Sequence, residues 1–191
     1  MTTNPASGSD LSPVPVYILA GGQSRRFGSD KARAPHDGVP LIVGVARLLE
    51  PVSSRITVVA AREGAYDDLG LRTIGDIVPE KGPLGGLLSA IADCGEDEWL
   101  FLAACDWVGI RAEWVSLLLE QRTPEARAVV YKSERYEPLF ALYHTSIRET
   151  VVGLIEANRL ETRNIFKETA TVTMPPPEGW SDAVNLNRPP Q

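Results

Sequence analysis

The chain is poor in most of the residues that advertise a chemistry. Its 191 residues include only two cysteines and two histidines. Cys94 and Cys105 lack the spacing of a metal clamp or a redox pair, so reduced free thiols are the default reading. His36 and His144 stand far apart, and neither accompanies a Ser or Cys motif, which removes the nucleophilic triads. No apolar run approaches the ~20 residues of a membrane span. Positive charge is scarce too: the net charge is −6, the opposite of the basic surface that a nucleic-acid partner requires. Two common nucleotide signatures are also missing. G-x-x-x-x-G-K-[ST] fails because Gly22 and Gly28 are too far apart and Ala32 follows Lys31. G-x-G-x-x-G fails because Gly21 and Gly22 are adjacent.

What remains is an ordinary globular composition, 43% hydrophobic and 23% charged, at a length suited to one domain with a sizeable core. Met1 to Pro13 is rich in Thr, Asn, Ser, Gly and Pro and lacks the n- and h-regions of a signal peptide. It reads as a disordered leader before a single domain over 14–191, with the cytoplasm as the expected location.

The informative stretch is Leu19-Ala-Gly-Gly-Gln-Ser-Arg-Arg-Phe-Gly-Ser-Asp-Lys31, which continues an apolar run from Val14 to Leu19 that reads as a first strand. Gly21 and Gly22 let backbone N–H groups approach a ligand with no Cβ in the way. Arg25, Arg26, Lys31 and Arg33 set a local cluster of cations beside them. Fixed dipoles and charges in one loop suit a triphosphate.

Further along, helical spacing covers Leu41 to Leu49, about Leu84 to Ala92, Glu113 to Gln121 and about 162 to 168. Ser146 and Glu149 have the spacing of a capping box for a helix running to about Ala157. Strand-like runs fall at Arg55–Ala60, Leu71–Ile74, Trp99–Ala104, Ala128–Tyr131, Pro138–Tyr143 and Thr171–Met174. This alternation predicts an α/β fold, a three-layer α/β/α sandwich of Rossmann-like type with a mostly parallel sheet. In such sheets ligands bind beyond the carboxyl ends of the strands, where the strand order switches. Asp106, just after the run Trp99–Ala104, falls on the same edge as the Gly-rich loop. A carboxylate facing a triphosphate there suits Mg²⁺, which takes one or two carboxylates plus phosphate oxygens. Trp99 and Trp114 read as core, and Trp180 as a cap on the core, with stacking on a flat ligand ring as the alternative.

Leu19 to Lys31 closely resembles the L-A-G-G-x-S-x-R-M-G-x-D-K signature of the nucleotidyltransferases that build the molybdenum cofactor, with Phe27 in place of Met. Gly82-Pro-Leu-Gly-Gly86 is similar to the G-P-L-A-G segment of the guanylyltransferases among them. There Pro83 opens a helix, and the glycines are expected to leave room for a flat base. Cys105-Asp106-Trp107-Val108-Gly109 resembles their C-D-x-P-F segment, keeping the metal-binding Asp and losing Pro and Phe.

The resemblance implies GMP transfer from GTP to the phosphate of molybdopterin, with pyrophosphate leaving and Mg²⁺ as cofactor. Leu19, Ala20, Gly21, Gly22, Ser24, Arg25, Lys31, Asp76, Gly82, Pro83, Leu84 and Asp106 would bind the nucleotide. Arg25, Lys31 and Asp106 would carry the chemistry. Asp76 matches the residue that pairs with guanine, whose N1–H and N2–H₂ are adjacent donors; an Asx turn is the structural alternative. On the acceptor side, Ala183-Val-Asn-Leu-Asn187 resembles an N-x-N-T-P ending, which brings in Asn185 and Asn187. Arg135 with Tyr136-Glu-Pro-Leu-Phe140 resembles an R-x-x-P-L/V-F-A segment. The implied partners are GTP, molybdopterin and other cofactor-assembly proteins, with no nucleic acid and no membrane. Three alternatives stay open: a cytidylyltransferase of the same cofactor, a nucleotidyltransferase acting on a sugar phosphate or on a cobalamin precursor, and a nucleotide-binding module without turnover.

Overall fold

The computed structural model describes residues 12–21, 30–96 and 98–185, with Val184 and Asn185 described by their backbone alone. The strands in chain order are β1 (Val14–Ala20), β2 (Pro35–His36), β3 (Val39–Pro40), β4 (Ser53–Ala60), β5 (Thr73–Gly75), β6 (Trp99–Ala104), β7 (Trp107–Val108), β8 (Ala128–Lys132), β9 (Tyr136–His144), β10 (Thr171–Met174) and β11 (Val184–Asn185). The helices are α1 (Leu41–Leu49), α2 (Pro83–Cys94), α3 (Ala112–Leu119), α4 (Arg148–Glu156) and α5 (Ile165–Glu168).

Seven strands form one sheet in the order β10-β8-β9-β6-β1-β4-β5. Only β9 runs antiparallel to its neighbours β6 and β8; the other pairs are parallel. All seven residues of β1 are buried, because helices cover both faces of the sheet. Such strands need an unbroken apolar run rather than an alternating one. Val16 and Ile18 pack with Ile42 and Val45 of α1 and Trp114 and Leu118 of α3. Tyr17 and Leu19 face the other way, onto Leu84 and Leu87 of α2, Val151 of α4 and Phe166 of α5. These are the three layers expected from the sequence.

Two local expectations are corrected. The run from Leu71 to Ile74 contributes only β5, Thr73–Gly75, because Gly70 takes φ +73° and the Leu71 N–H turns back to the Tyr66 carbonyl at 3.3 Å. The capping box at Ser146 and Glu149 does not form, and α4 begins without a side-chain cap. A 3₁₀ turn, Thr145–Ile147, intervenes, capped by His144, whose Nδ1 accepts from the Ser146 N–H. The Ser146 hydroxyl lies 2.8 Å from the same Nδ1, and Glu149 pairs with Arg148. The short ribbons β2–β3 and β7–β11 carry no pattern long enough to read from sequence.

The carboxyl end of α2 is anchored to the sheet through one carboxylate. Asp93 accepts from Tyr17 Oη at 2.8 Å and from both Arg72 terminal nitrogens at 2.8 and 2.6 Å. Arg72 Nη1 also donates to Thr57, and Arg55 donates to Tyr17 Oη. The Arg72 guanidinium, with help from Tyr17, holds the Asp93 carboxyl below the usual carboxylate range, although partial burial opposes it. The amino end of α2, at the opposite edge of the sheet, faces the loop that carries Asp76.

Candidate active site

The chain lays β4 and β5 to one side of β1, then returns to place β6 on the other. The strand order therefore reverses between β1 and β6, and a crevice opens beyond their carboxyl ends. The Cys105 N–H donates to the Leu19 carbonyl at 3.1 Å, so the two strand ends are locked in register. Gly21 leaves one lip of the crevice and Asp106 the other.

Asp106 is buried, with 8% of its surface exposed. Its Oδ2 forms an ion pair with Lys31 Nζ, and both side chains are nearly covered. Oδ1 has no partner among the described residues. A buried carboxylate with one oxygen open is a good ligand for a hard cation. No group of three or more His, Cys, Asp or Glu among the described residues makes a complete cage, so a cation here needs further oxygens from a ligand, as Mg²⁺ on a triphosphate has.

Lys31 opens a 3₁₀ turn, Lys31–Arg33, whose N-cap Asp30 accepts from the Ala32 N–H at 3.0 Å. The buried Tyr66 donates its hydroxyl to Asp30, 2.9 and 3.0 Å from the two oxygens. Burial first, and then the neighbouring Asp30, push the Tyr66 phenol well above its ordinary range, so it stays a donor. Arg33 turns to other partners. Its guanidinium is engaged by both oxygens of Asp68, at 2.7 and 2.8 Å, and by the Ala65 carbonyl. Asp30, Tyr66 and Asp68 thus fix the turn that carries Lys31, and sequence reading missed all three roles. The signal exists only in the fold, since Tyr66 is 36 residues from Asp30.

Beside β4, the Asp76 N–H donates to the Ala60 carbonyl at 2.7 Å, extending the sheet edge. Its Oδ1 accepts from the Val78 N–H at 2.9 Å, which is an Asx turn, and lies 3.2 Å from Ser89 Oγ. Oδ2 has no partner among the described residues. The structural role and the open oxygen are therefore compatible in one side chain. Gly82 takes φ +62° as the N-cap of α2, with Pro83 in the first turn. The two following glycines are not there to clear space for a base. A Cβ on Gly85 would lie 2.6 Å from the Val78 carbonyl and 3.1 Å from Asp76 Oδ1. One on Gly86 would lie 2.8 Å from Leu19 Cδ2. Gly85 lets the Asp76 turn sit on the helix end, and Gly86 lets α2 pack closely on β1. Leu84 and Leu19 have core side chains, so only their backbones remain available to a ligand, as does the small Ala20, whose side chain is buried.

Arg135 is exposed at the turn between β8 and β9, on the same edge of the sheet. Asn185 is brought in by the β7–β11 ribbon, where it pairs with Trp107, the residue after Asp106. Gly22, Ser24, Arg25 and Asn187 lie outside the described residues. The altered segment after Asp106 also has its explanation. Gly109 takes φ +76°, and a Cβ there would lie 3.0 Å from the Asp182 carbonyl; the C-terminal segment occupies the space a larger residue would need. Burial, reinforced by Asp106, pushes the Cys105 thiol up to about 12, which makes it a packing group rather than a nucleophile.

Comparison with known proteins is consistent with this geometry. The family described as the MobA-like NTP transferase domain matches residues 16–172. The chain is 35% identical over 165 residues to the probable molybdenum cofactor guanylyltransferase of Deinococcus radiodurans, covering 84% of each chain. It is 30% identical over 157 residues to the protein of the same name in Flavobacterium johnsoniae, covering 82% of each. Among solved structures, molybdopterin-guanine dinucleotide biosynthesis protein A of Archaeoglobus fulgidus superposes with a TM-score of 0.73 at 23% identity, covering 85% of this chain and 83% of that one. A protein of Aquifex aeolicus superposes with 0.76 at 23% identity, covering 91% and 92%. These two structures share the fold.

Proposed function

The chain belongs to the MobA-like NTP transferase family, and from that premise we propose that it transfers GMP from GTP to the phosphate of molybdopterin, releasing pyrophosphate. The observation that carries the reading is the Lys31–Asp106 pair at the reversal of strand order, next to the signature loop. An oxygen of the acceptor phosphate attacks the α-phosphorus of GTP as the bond to pyrophosphate breaks in line. No covalent enzyme intermediate is needed, so the protein's task is positioning and charge neutralisation.

Lys31 neutralises Asp106 in this structure and can exchange that carboxylate for the oxygens of the leaving pyrophosphate, joined by Arg26, on which the signature's arginine falls, rather than Arg25. Backbone N–H groups of Ala20 to Gly22 meet the phosphates. Asp106 would hold Mg²⁺, which supplies charge neutralisation between phosphates when bound. The open Oδ2 of Asp76 accepts from guanine N1–H and N2–H₂, beside the amino end of α2. A cytosine has no such pair of adjacent donors.

The test is thermal unfolding with Mg²⁺ and GTP, CTP, ATP or UTP in turn. A ligand at 100 times its Kd adds ~2.7 kcal/mol, roughly 5–11 °C for a chain of this size. GTP alone should raise the midpoint, and Asp76→Ala should erase the rise. A CTP preference would transfer the reading to the cytidylyl class, and no shift with any nucleotide would sink it.

A further inference from the structure

The C-terminal segment reaches the site by a long return. After β10, at the far edge of the sheet, the chain crosses back to place a 3₁₀ turn, Trp180–Asp182, against β7. The Trp180 ring enters a socket made by four rings from four different elements. Its centroid lies 5.1 Å from Trp114 of α3, 5.1 Å from Tyr131 of β8, 5.2 Å from Phe140 of β9 and 5.5 Å from Trp107 of β7. Edge-on and tilted contacts at such distances add to the apolar burial itself. The socket is rigid. Tyr131 donates its hydroxyl to the Trp114 carbonyl at 2.7 Å, and Trp107 donates its indole N–H to the Leu139 carbonyl at 2.8 Å.

Beyond the plug, Ala183 packs on the same core, and the strand pairings among the described residues are few. The β7–β11 ribbon consists of two residue pairs, Val184 with Val108 and Asn185 with Trp107, and an isolated two-stranded ribbon is marginal even at greater length. Gly179 and Gly109 allow the approach: a Cβ on the first would meet the Arg111 guanidinium at 2.9 Å, and one on the second the Asp182 carbonyl. The tail is aligned opposite the residue that follows Asp106, and Trp180 is the largest of its described side chains packed on the core, beside Ala183.

We propose that Trp180 is a positioning residue for the acceptor half of the reaction: by plugging the aromatic socket it fixes the tail, and with it Asn185, beside Asp106. The acceptor's identity rests on the reading above, but the docking of the tail does not. Acting through the tail, Trp180 should be removable with little loss of nucleotide affinity: the nucleotide groups on β1, α2 and the Asp76 turn lie away from the tail, and Asp106 is the one placed beside it.

The experiment compares wild type, Trp180→Phe and Trp180→Ala by amide exchange, GTP affinity with Mg²⁺, and initial rates at varied molybdopterin. Trp180→Ala should speed exchange at 183–185 by at least ~10-fold while β1 and α2 keep their protection. Its KM for molybdopterin should rise by ~10-fold, with the Kd for GTP within about twofold. Trp180→Phe should restore both quantities toward wild type. Unchanged exchange at 183–185 would overturn the proposal, as would a rise in GTP Kd parallel to the molybdopterin KM. Should Trp180→Ala fail to fold, Gly109→Ala displaces the tail from its other side without touching the rings, and must produce the same split. If wild type binds GTP but ignores molybdopterin, the acceptor reading falls, and amide exchange alone decides whether Trp180 holds the tail.

Discussion

Lys31 and Asp106 are the residues whose loss should be felt most directly. Lys31→Ala removes the cation paired with Asp106 and, with it, one donor to the leaving group. By comparison with the deletion of a single transition-state donor, kcat should fall ~10²- to 10³-fold. A variant within about tenfold of wild type in steady-state assays would take Lys31 out of the mechanism. The adjacent glycines of α2 meet different neighbours, one at the Asp76 turn and one in the core. Gly85→Ala drives a methyl to 2.6 Å from the Val78 backbone carbonyl and against the Asp76 carboxylate, so it should lower the stability of the unliganded protein and also shrink the GTP-induced thermal shift. Gly86→Ala instead meets Leu19 in the core and should cost about 1–3 kcal/mol of stability. Denaturant titration of both variants, with and without GTP, distinguishes the two outcomes.

At the scale of the element, α2 joins the two edges of the sheet. Its amino end supports Asp76, and its carboxyl end is anchored by Asp93 to Tyr17 and Arg72. Asp93 has its folded-state pKa depressed, by the Arg72 hydrogen bond first and Tyr17 second. Its contribution is therefore present above the unfolded carboxylate pKa of about 3.9 and lost as pH falls through the lower folded value. Asp93→Ala should cost about 1–3 kcal/mol at pH 7, since it leaves the Tyr17 hydroxyl without its acceptor. The gap from wild type should hold down to about pH 4 and close in stronger acid. Thermal melts across that range decide it; a gap independent of pH would show that packing, not charge, is at stake. α2 was readable in the sequence from its apolar spacing and from Pro83. Its glycines were misread, because what a missing Cβ makes room for is set by a neighbour that only the fold supplies.

Across the whole molecule, burial grades from the centre of the sheet to its edges. β1 and β6 lie between covered neighbours, whereas β5 and β10 are edge strands of three and four residues. Native-state amide exchange should find the slowest protons in β1 and β6 and let β5 and β10 open at lower free energy. Uniform exchange across the sheet would contradict this order. The two helical layers leave the crevice beyond the ends of β1 and β6 as the place where Lys31, Asp106 and the Asp76 turn are held at fixed positions. The described helices include none long and apolar enough to cross a membrane.

Apolar spacing along the chain set the main strands and helices, and residue type set the chemistry of the signature residues. An unbroken apolar run makes a doubly covered strand, and Gly, Arg, Lys and Asp at the strand ends carry their donors and charges wherever they are placed. Those are local properties of residue type and spacing. Tertiary structure alone decided which of these groups meet. Lys31 reaches Asp106 across 75 residues, Arg33 pairs with Asp68, and Asp30 is held by Tyr66. The same is true of Trp180, legible as a cap for the core but not as the plug that brings the tail to Asp106. Such pairings depend on strand order and on the exact approach of two backbones, and neither leaves a periodic trace along the chain.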